Sequence, residues 1–543
     1  MALTAWWCGA GGLMKGMGPF LAVLLLVGAA RGQEADDPLT VRTKKGLVQG
    51  ITQQSATGSS VDAFLGIPYA QPPTGKNRFR HPRPVDPWKG IMMAKELPSS
   101  CYQIKDTTYG GFPGSVMWEP NTPLNEDCLK INVWTPNPRG ENLTVMVWIF
   151  GGGFYSGTSS LDVYDAKILA GDMNVIVVSM NYRVASLGFL YFGIPEAPGN
   201  AGLFDQLMAL EWNIHYFGGN PKQITLFGES AGAVSIGHHL LSPLSSHLFD
   251  KAILQSGSAT SPWGVTTREH SMQQGMRLAK ALGCPHDINK PEEVVACLSE
   301  KDASDLVSNE WSNNGVVDFP FVPVVDGAFF LEHPKDAMKN GFFKKTKLMV
   351  GNTRDEATFF LVYFLPQYLF LNDSVRITRK NLTDIMPKLF PTIPPLGIRA
   401  IQHEYTNWAD PDDPPSNLEA MDRMTGDCHF TCPVIHFAHT YASAGLPVYY
   451  FLFSQRYSTN PWPRWMGTIH GDEIVFIFGE PIYKPGFTEA ERNFSRRIMA
   501  YWTNFAKTGE IRSQLRTSPS MGKSSAGHML NLPHLVSKPS IEP

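Results

Sequence analysis

Charge is scarce in this chain and nearly balanced: 46 Lys and Arg against 49 Asp and Glu in 543 residues leave a formal net of −3. A chain so close to neutral has no general field to draw it to nucleic acid or an anionic membrane, so partners must be sought in local sites. Long apolar runs are missing as well. The run Phe20 to Val27 is eight residues, where a spanning helix needs roughly 20. Phe359 to Leu371 is interrupted by Pro366 and reads as core or cavity lining. There is no internal repeat and no Gly/Ser-rich linker to divide the chain. The seven cysteines fit no common zinc spacing, and Cys428 and Cys432 with His429 and His436 make a weak ligand set in an apolar segment, so no metal and no cofactor is expected. What is plentiful is apolar and aromatic: 43% hydrophobic residues, with 32 Phe and 13 Trp, exclude a disordered or fibrous chain and supply a large core.

Lys15, the apolar run Phe20 to Val27 and the small residues Gly28 to Gly32 have the layout of a secretory signal peptide over residues 1–32. Secretion would permit disulfides among Cys101, Cys128, Cys284, Cys297, Cys428 and Cys432. Asn142, Asn372, Asn381 and Asn493 each open an Asn-x-Ser/Thr glycosylation sequon, which suits an extracellular protein. The segment 510–543, rich in Ser and Pro and poor in periodicity, reads as a flexible tail.

Between these ends, alternating residues over Leu39 to Ile51 and Val61 to Tyr69 predict antiparallel edge strands. Val145–Ile149, Val175–Val178, Ile224–Phe227, Lys347–Val350 and Tyr449–Phe453 are short apolar runs of the kind buried on both faces of a parallel sheet. Helical patterns separate them, at Leu203 to Phe217, Ala231 to Leu241 and Glu489 to Lys507. The alternation predicts an α/β fold, a large and mostly parallel central sheet flanked by helices.

The chemistry concentrates at Gly228-Glu229-Ser230-Ala231-Gly232, which sits between a predicted strand and a predicted helix. That context suits a nucleophile elbow, where small neighbours allow a strained serine to present its hydroxyl; the plain alternative is a serine that only caps the helix. Phe150-Gly151-Gly152-Gly153-Phe154 follows another strand and can turn backbone N–H groups toward one point, as an oxyanion hole requires, with Gly152, Gly153 and Ala231 as donors. The run lacks the spacing of a phosphate-binding glycine loop. Partners of such a serine follow in the order acid, then histidine. Asn352-Thr353-Arg354-Asp355-Glu356 offers two carboxylates and Met466-Gly467-Thr468-Ile469-His470 an imidazole; either Asp355 or Glu356 fits. His429, His436 and His439 lie in an apolar helix-like segment where a core role is favoured, and His528 and His534 lie in the tail.

These residues resemble the type-B carboxylesterases and, within them, the cholinesterases, from about Leu39 to Gly509. The anchors are Phe217-Gly218-Gly219-Asn220 through Gly232, Glu126-Asp127-Cys128-Leu129, and Trp465 through Gly471. The resemblance implies an α/β-hydrolase domain over 33–509, a triad of Ser230, Glu356 and His470, and disulfides Cys101–Cys128 and Cys284–Cys297. It implies a secreted serine esterase, at a synapse or cell surface, that cleaves choline esters through an acyl-enzyme and has a small molecule rather than a nucleic acid or a bilayer as partner. Trp118 would hold the quaternary ammonium by cation–π attraction, with Glu229, Phe359 and Tyr363 around it. Asp106, Tyr155 and Trp311 would form a peripheral site. Phe319 would line the acyl pocket with Val317 in place of a second Phe, which widens it toward larger acyl groups.

Three departures stand out. Ile104 replaces a rim aromatic, Lys130 replaces an aromatic after the Asp-Cys-Leu motif, and no downstream cysteine is present to pair with Cys432. The tail lacks the family's tetramer helix and lipid-anchor signal, which points to a monomer or loose dimer. The rival readings are a general carboxylesterase acting on uncharged esters, a non-catalytic adhesion relative and an inactive truncated variant.

Overall fold

The structure, a computed structural model, describes residues 37–212, 214–311, 315–512 and 529–531. The predicted signal peptide lies outside the described residues, as does most of the predicted tail.

Ten strands form the main sheet: β1 (Ile51–Gln54), β2 (Ser60–Pro68), β3 (Lys130–Asn137), β4 (Leu143–Ile149), β5 (Ile176–Met180), β6 (Gly219–Glu229), β7 (Lys251–Gln255), β8 (Leu348–Thr353), β9 (Val448–Phe453) and β10 (Met529–Asn531). Their order is β10-β9-β8-β7-β6-β4-β5-β3-β2-β1. Neighbours from β5 through β4, β6, β7 and β8 to β9 are parallel. β1, β2 and β3 at one edge and β10 at the other pair antiparallel. The alternating N-terminal region divides: Thr40–Arg42 and Leu47–Gln49 form a separate small sheet with Ile91–Met93, and only β1 and β2 join the main one.

The central parallel strands are buried on both faces, and β5 and β7 contain no exposed residue. β3 and β7 escaped the sequence reading because Asn132, Lys251 and Gln255 interrupt their apolar runs. Each polar group is satisfied inside the fold: Asn132 Nδ2 donates to Ser179 Oγ at 3.1 Å, and Gln255 Nε2 donates to Glu473 Oε1 at 3.1 Å.

The helices that matter for the site are α1 (Ala201–Leu210), α2 (Ala231–Leu241), α3 (Pro334–Asn340), α4 (Thr358–Phe364), α5 (Cys432–Ser443) and α6 (Glu489–Thr508). The helix predicted over Leu203 to Phe217 closes at Leu210, and a 3₁₀ turn at Ile214–Phe217 leads into β6. α6 opens with a reciprocal capping box, in which Thr488 Oγ1 accepts from the N–H of Glu491 and Glu491 accepts from that of Thr488. It buries Ile498, Trp502 and Phe505 at helical spacing, and Trp502 Nε1–H donates to Gln255 Oε1 at 3.0 Å.

α5 corrects one expectation. It buries Val434, Phe437, Ala438 and Tyr441, so His436 and His439 fall on its outer, exposed face and are not core histidines. His429 is half-buried with its Nδ1 enclosed, and desolvation pushes its imidazole down to about 4. Cys428, within a π-helical turn at Asp427–Thr431, and Cys432, directly after it, are exposed free thiols. The disulfides Cys101–Cys128 and Cys284–Cys297 are both formed. Among the described residues no helix is long and apolar enough to cross a membrane, and no cluster of His, Cys, Asp or Glu is arranged to hold a metal.

Candidate active site

The candidate residues gather at the C-terminal ends of the parallel strands. Gly151 to Gly153 follow β4, Ser230 follows β6, Asp355 and Glu356 follow β8, and His470 is carried on a loop beyond β9. Open parallel sheets place ligands at this end.

Ser230 sits at φ 54° and ψ −123°, a conformation that a non-glycine residue adopts only when its surroundings enforce it. Its N–H donates to Gln255 O on the neighbouring strand at 2.8 Å. Gly232 leaves no alternative: a Cβ there would lie 2.0 Å from Ile149 O, so α2 can start this close to β4 only without a side chain. A Cβ on Gly151 would lie 2.9 Å from Ser230 Cβ, which sets the glycine loop directly against the serine.

The imidazole of His470 is buried between two carboxylates. Nδ1 lies 2.6 Å from Glu356 Oε2 and Nε2 lies 3.0 Å from Glu229 Oε1. The second contact is an ion-pair distance with poor hydrogen-bond geometry, and neither atom has a hydrogen-bond partner among the described residues, so Nε2 keeps its capacity for a reacting proton. Burial by itself would push the imidazole down, but the charges of Glu229 and Glu356 outweigh it and hold His470 above its ordinary value. Burial likewise raises Glu356, and the charge and hydrogen bond of His470 with the amide of Asn352 reverse that, leaving the carboxyl below its usual range. Phe430 and Phe360 flank the imidazole with ring centroids 4.7 and 5.0 Å away.

The adjacent carboxylate is engaged elsewhere. Asp355 Oδ2 accepts the N–H of Thr468 at 2.6 Å, and the Asp355 N–H donates to Thr468 O at 3.0 Å. Asp472 accepts the Ile469 N–H at 3.0 Å from the other side. These two residues hold the loop that presents His470, and the sequence offered no local signal for Asp472 or for Phe430. Phe360 lies in the run read as core or cavity lining.

On one side of His470 the remaining candidates form an aromatic wall. A Cβ built on Gly471 would lie 3.5 Å from the Trp118 ring and 3.7 Å from Glu229 Oε1, so indole and carboxylate share one small space. Phe359 lies 5.2 Å from Tyr363 and 5.6 Å from Trp462, centroid to centroid. The Tyr363 hydroxyl donates to Asp106 Oδ2 at 2.7 Å, and Tyr155 meets the exposed Trp311 edge-to-face at 4.9 Å. On the other side Phe319 reaches the glycine loop, 2.8 Å from a Cβ on Gly153, and packs on Trp263 at 5.7 Å. Val317 is buried at φ 53°; Asn313 and Asn314, just before it, lie outside the described residues. The sequon residues Asn142, Asn372 and Asn493 are exposed and Asn381 is half-buried.

A strained serine at a strand–helix turn, a glycine loop against it and a buried carboxylate–imidazole pair on a parallel sheet define a serine hydrolase of the α/β-hydrolase fold. The chain belongs to the carboxylesterase family, whose pattern matches residues 37–532, and it is a serine carboxylic ester hydrolase. It is 45% identical over 514 residues to an acetylcholinesterase of Electrophorus electricus, covering 88% of this chain and 81% of that one. It is 46% identical over 479 residues to an acetylcholinesterase of Bungarus fasciatus, covering 87% and 78%, and 46% identical over 497 residues to a cholinesterase of Mus musculus, covering 90% and 82%.

The double carboxylate contact makes the pH profile a test of the site. Catalysis by a general base needs the neutral imidazole, so a raised His470 pKa places the acid limb of the rate profile at higher pH. Glu229→Gln removes one of the two charges that raise it. With an uncharged ester as substrate, the acid limb is expected to move down by about one to three pH units. An unmoved limb in kcat/KM would show that Glu229 does not bear on the base.

Proposed function

We propose that this chain hydrolyses choline esters outside the cell through an acyl-enzyme intermediate. Ser230 Oγ attacks the ester carbonyl while His470 Nε2 takes its proton, and the N–H groups of Gly152, Gly153 and Ala231 receive the developing oxyanion. Glu356 keeps the His470 Nδ1 proton in place and stabilises the imidazolium. The imidazolium then returns its proton to the departing choline oxygen. Water, deprotonated by the same histidine, releases the acid and restores Ser230. No cofactor enters the cycle.

The observation that carries the choline assignment is the shared space of Trp118 and Glu229 beside His470. A quaternary ammonium has no N–H to donate, so an indole face with a carboxylate nearby is the recognition chemistry that suits it. The names of the relatives support the same substrate class. In the acyl pocket Val317 leaves more room beside Phe319 than a second phenylalanine would, which favours turnover of butyryl as well as acetyl esters.

A general carboxylesterase would use the same triad on uncharged substrates, and Trp118→Ala separates the two readings. On acetylthiocholine kcat/KM should fall by about 30-fold or more, the equivalent of about 2 kcal/mol for a desolvated cation–π contact, while an uncharged thioester of similar size loses little. Equal losses on both would favour the general esterase. Butyrylthiocholine run in parallel reads the width of the acyl pocket.

A further inference from the structure

One segment departs from the sparse charge of the rest of the chain. Between Glu332 and Lys347 stand Lys335, Lys339, Lys344, Lys345 and Lys347 against two carboxylates, in a protein whose net charge is −3. The segment comprises α3, the turn after it and the residue preceding β8. Its C-terminal end, at Lys347, therefore lies at the N-terminal end of β8, the length of a six-residue strand, about 20 Å, from the end that leads to Glu356, while Lys335 at its other end lies close enough to Cys428 to act on its thiol.

The lysines here are poorly neutralised. Lys347 pairs with Glu510 at 3.1 Å, but among the described residues Lys335, Lys339, Lys344 and Lys345 have no carboxylate at ion-pair distance. Asp250, the acid nearest Lys344, is taken by Lys251. Glu332 accepts the amide of Asn340 at 2.9 Å. Aromatic rings stand in for anions: Lys344 Nζ lies 5.3 Å from the centroid of Phe249, and Lys345 Nζ 3.3 Å from that of Phe343. Lys335 and Lys339 are both exposed, one turn apart on α3, about 6 Å along its axis.

We propose that this face binds a sulfated, polyanionic polysaccharide and thereby tethers the enzyme. A flexible polyanion can meet several separated ammonium groups at once, and such point charges suit sulfate oxygens without a shaped pocket. An anionic bilayer fits less well. Phe342 and Leu331 are the strongly exposed apolar side chains of the segment, at 66% and 71%, and they flank opposite ends of α3 without forming the continuous apolar face that interfacial insertion needs. The inference is independent of the substrate assignment, and binding in vitro does not depend on the location proposed above.

The test is chromatography of the full chain on immobilised heparin with a salt gradient. The wild type is expected to stay bound above about 0.15 M salt, where exposed charges are already screened beyond about 8 Å. The Lys335→Ala, Lys339→Ala, Lys344→Ala, Lys345→Ala variant should bind on the order of tenfold more weakly or worse and elute earlier. A control with Lys44, Lys76, Lys89 and Lys280 replaced by alanine removes the same charge from exposed positions elsewhere and should elute with the wild type. Ester turnover, unchanged in both, reports that they fold. The proposal is overturned if the wild type passes through at 0.15 M salt, if the two variants elute together, or if the wild type sediments with phosphatidylserine vesicles while ignoring heparin.

Discussion

Replacing Ser230 with alanine is expected to lower kcat for every ester by on the order of 10⁶-fold, leaving only the modest acceleration that the glycine loop and substrate binding provide. The effect should be this large because the reaction loses its covalent intermediate, and no neighbouring hydroxyl can take over. Ser230 combines a strained backbone at the start of α2 with a Cβ set directly against the glycine loop. Folding should be little affected, since the bond that fixes the turn is made by the Ser230 N–H to Gln255 O and the hydroxyl has no part in it. The measurement is hydrolysis of acetylthiocholine, butyrylthiocholine and an uncharged thioester by the purified protein, with circular dichroism or thermal unfolding alongside. Substantial turnover by a folded Ser230→Ala protein would remove the serine from the mechanism.

Glu356→Gln is the second large effect, on the order of 10⁴ in kcat, and its cause is a tautomer. Glu356 Oε1 accepts the Asn352 amide at 3.0 Å and the Thr353 N–H at 2.8 Å, while Oε2 faces His470 Nδ1 at 2.6 Å. A glutamine keeps its carbonyl toward the two donors and must therefore aim its NH₂ at Nδ1. The imidazole then carries its proton on Nε2 and cannot accept one from Ser230. Asp355→Asn is the informative comparison. The asparagine carbonyl can still accept the Thr468 N–H that Asp355 now accepts at 2.6 Å, so the loss should be small. If Asp355→Asn proved the more damaging of the two, the acid of the triad would be reassigned.

The strand–turn–helix around Ser230 and the glycine run after β4 were legible in the sequence because both are short-range. Small residues at fixed offsets from a buried apolar strand admit few backbone paths, and the structure follows the predicted ones. The parallel core was legible for the same reason wherever an apolar run was uninterrupted. β3 and β7 were hidden because Asn132, Lys251 and Gln255 break their apolar pattern, and only the partners that satisfy them show why they are tolerated. α5 misled in the opposite direction: its composition is apolar, yet its phase turns His436 and His439 outward.

By itself, then, the sequence determined the class of fold, the turn that presents a serine and the order of acid and histidine along the chain. The tertiary structure decided which of two adjacent carboxylates meets Nδ1. Both lie past the end of β8, where Asp355 bridges to the loop at Thr468 and Ile469 while the Asn352 amide and the Thr353 N–H turn Glu356 back toward His470. It also decided that Trp118, Glu229 and Gly471 share one space, because only the packing of the Cys101–Cys128 loop over the end of the sheet brings residues so distant in sequence together.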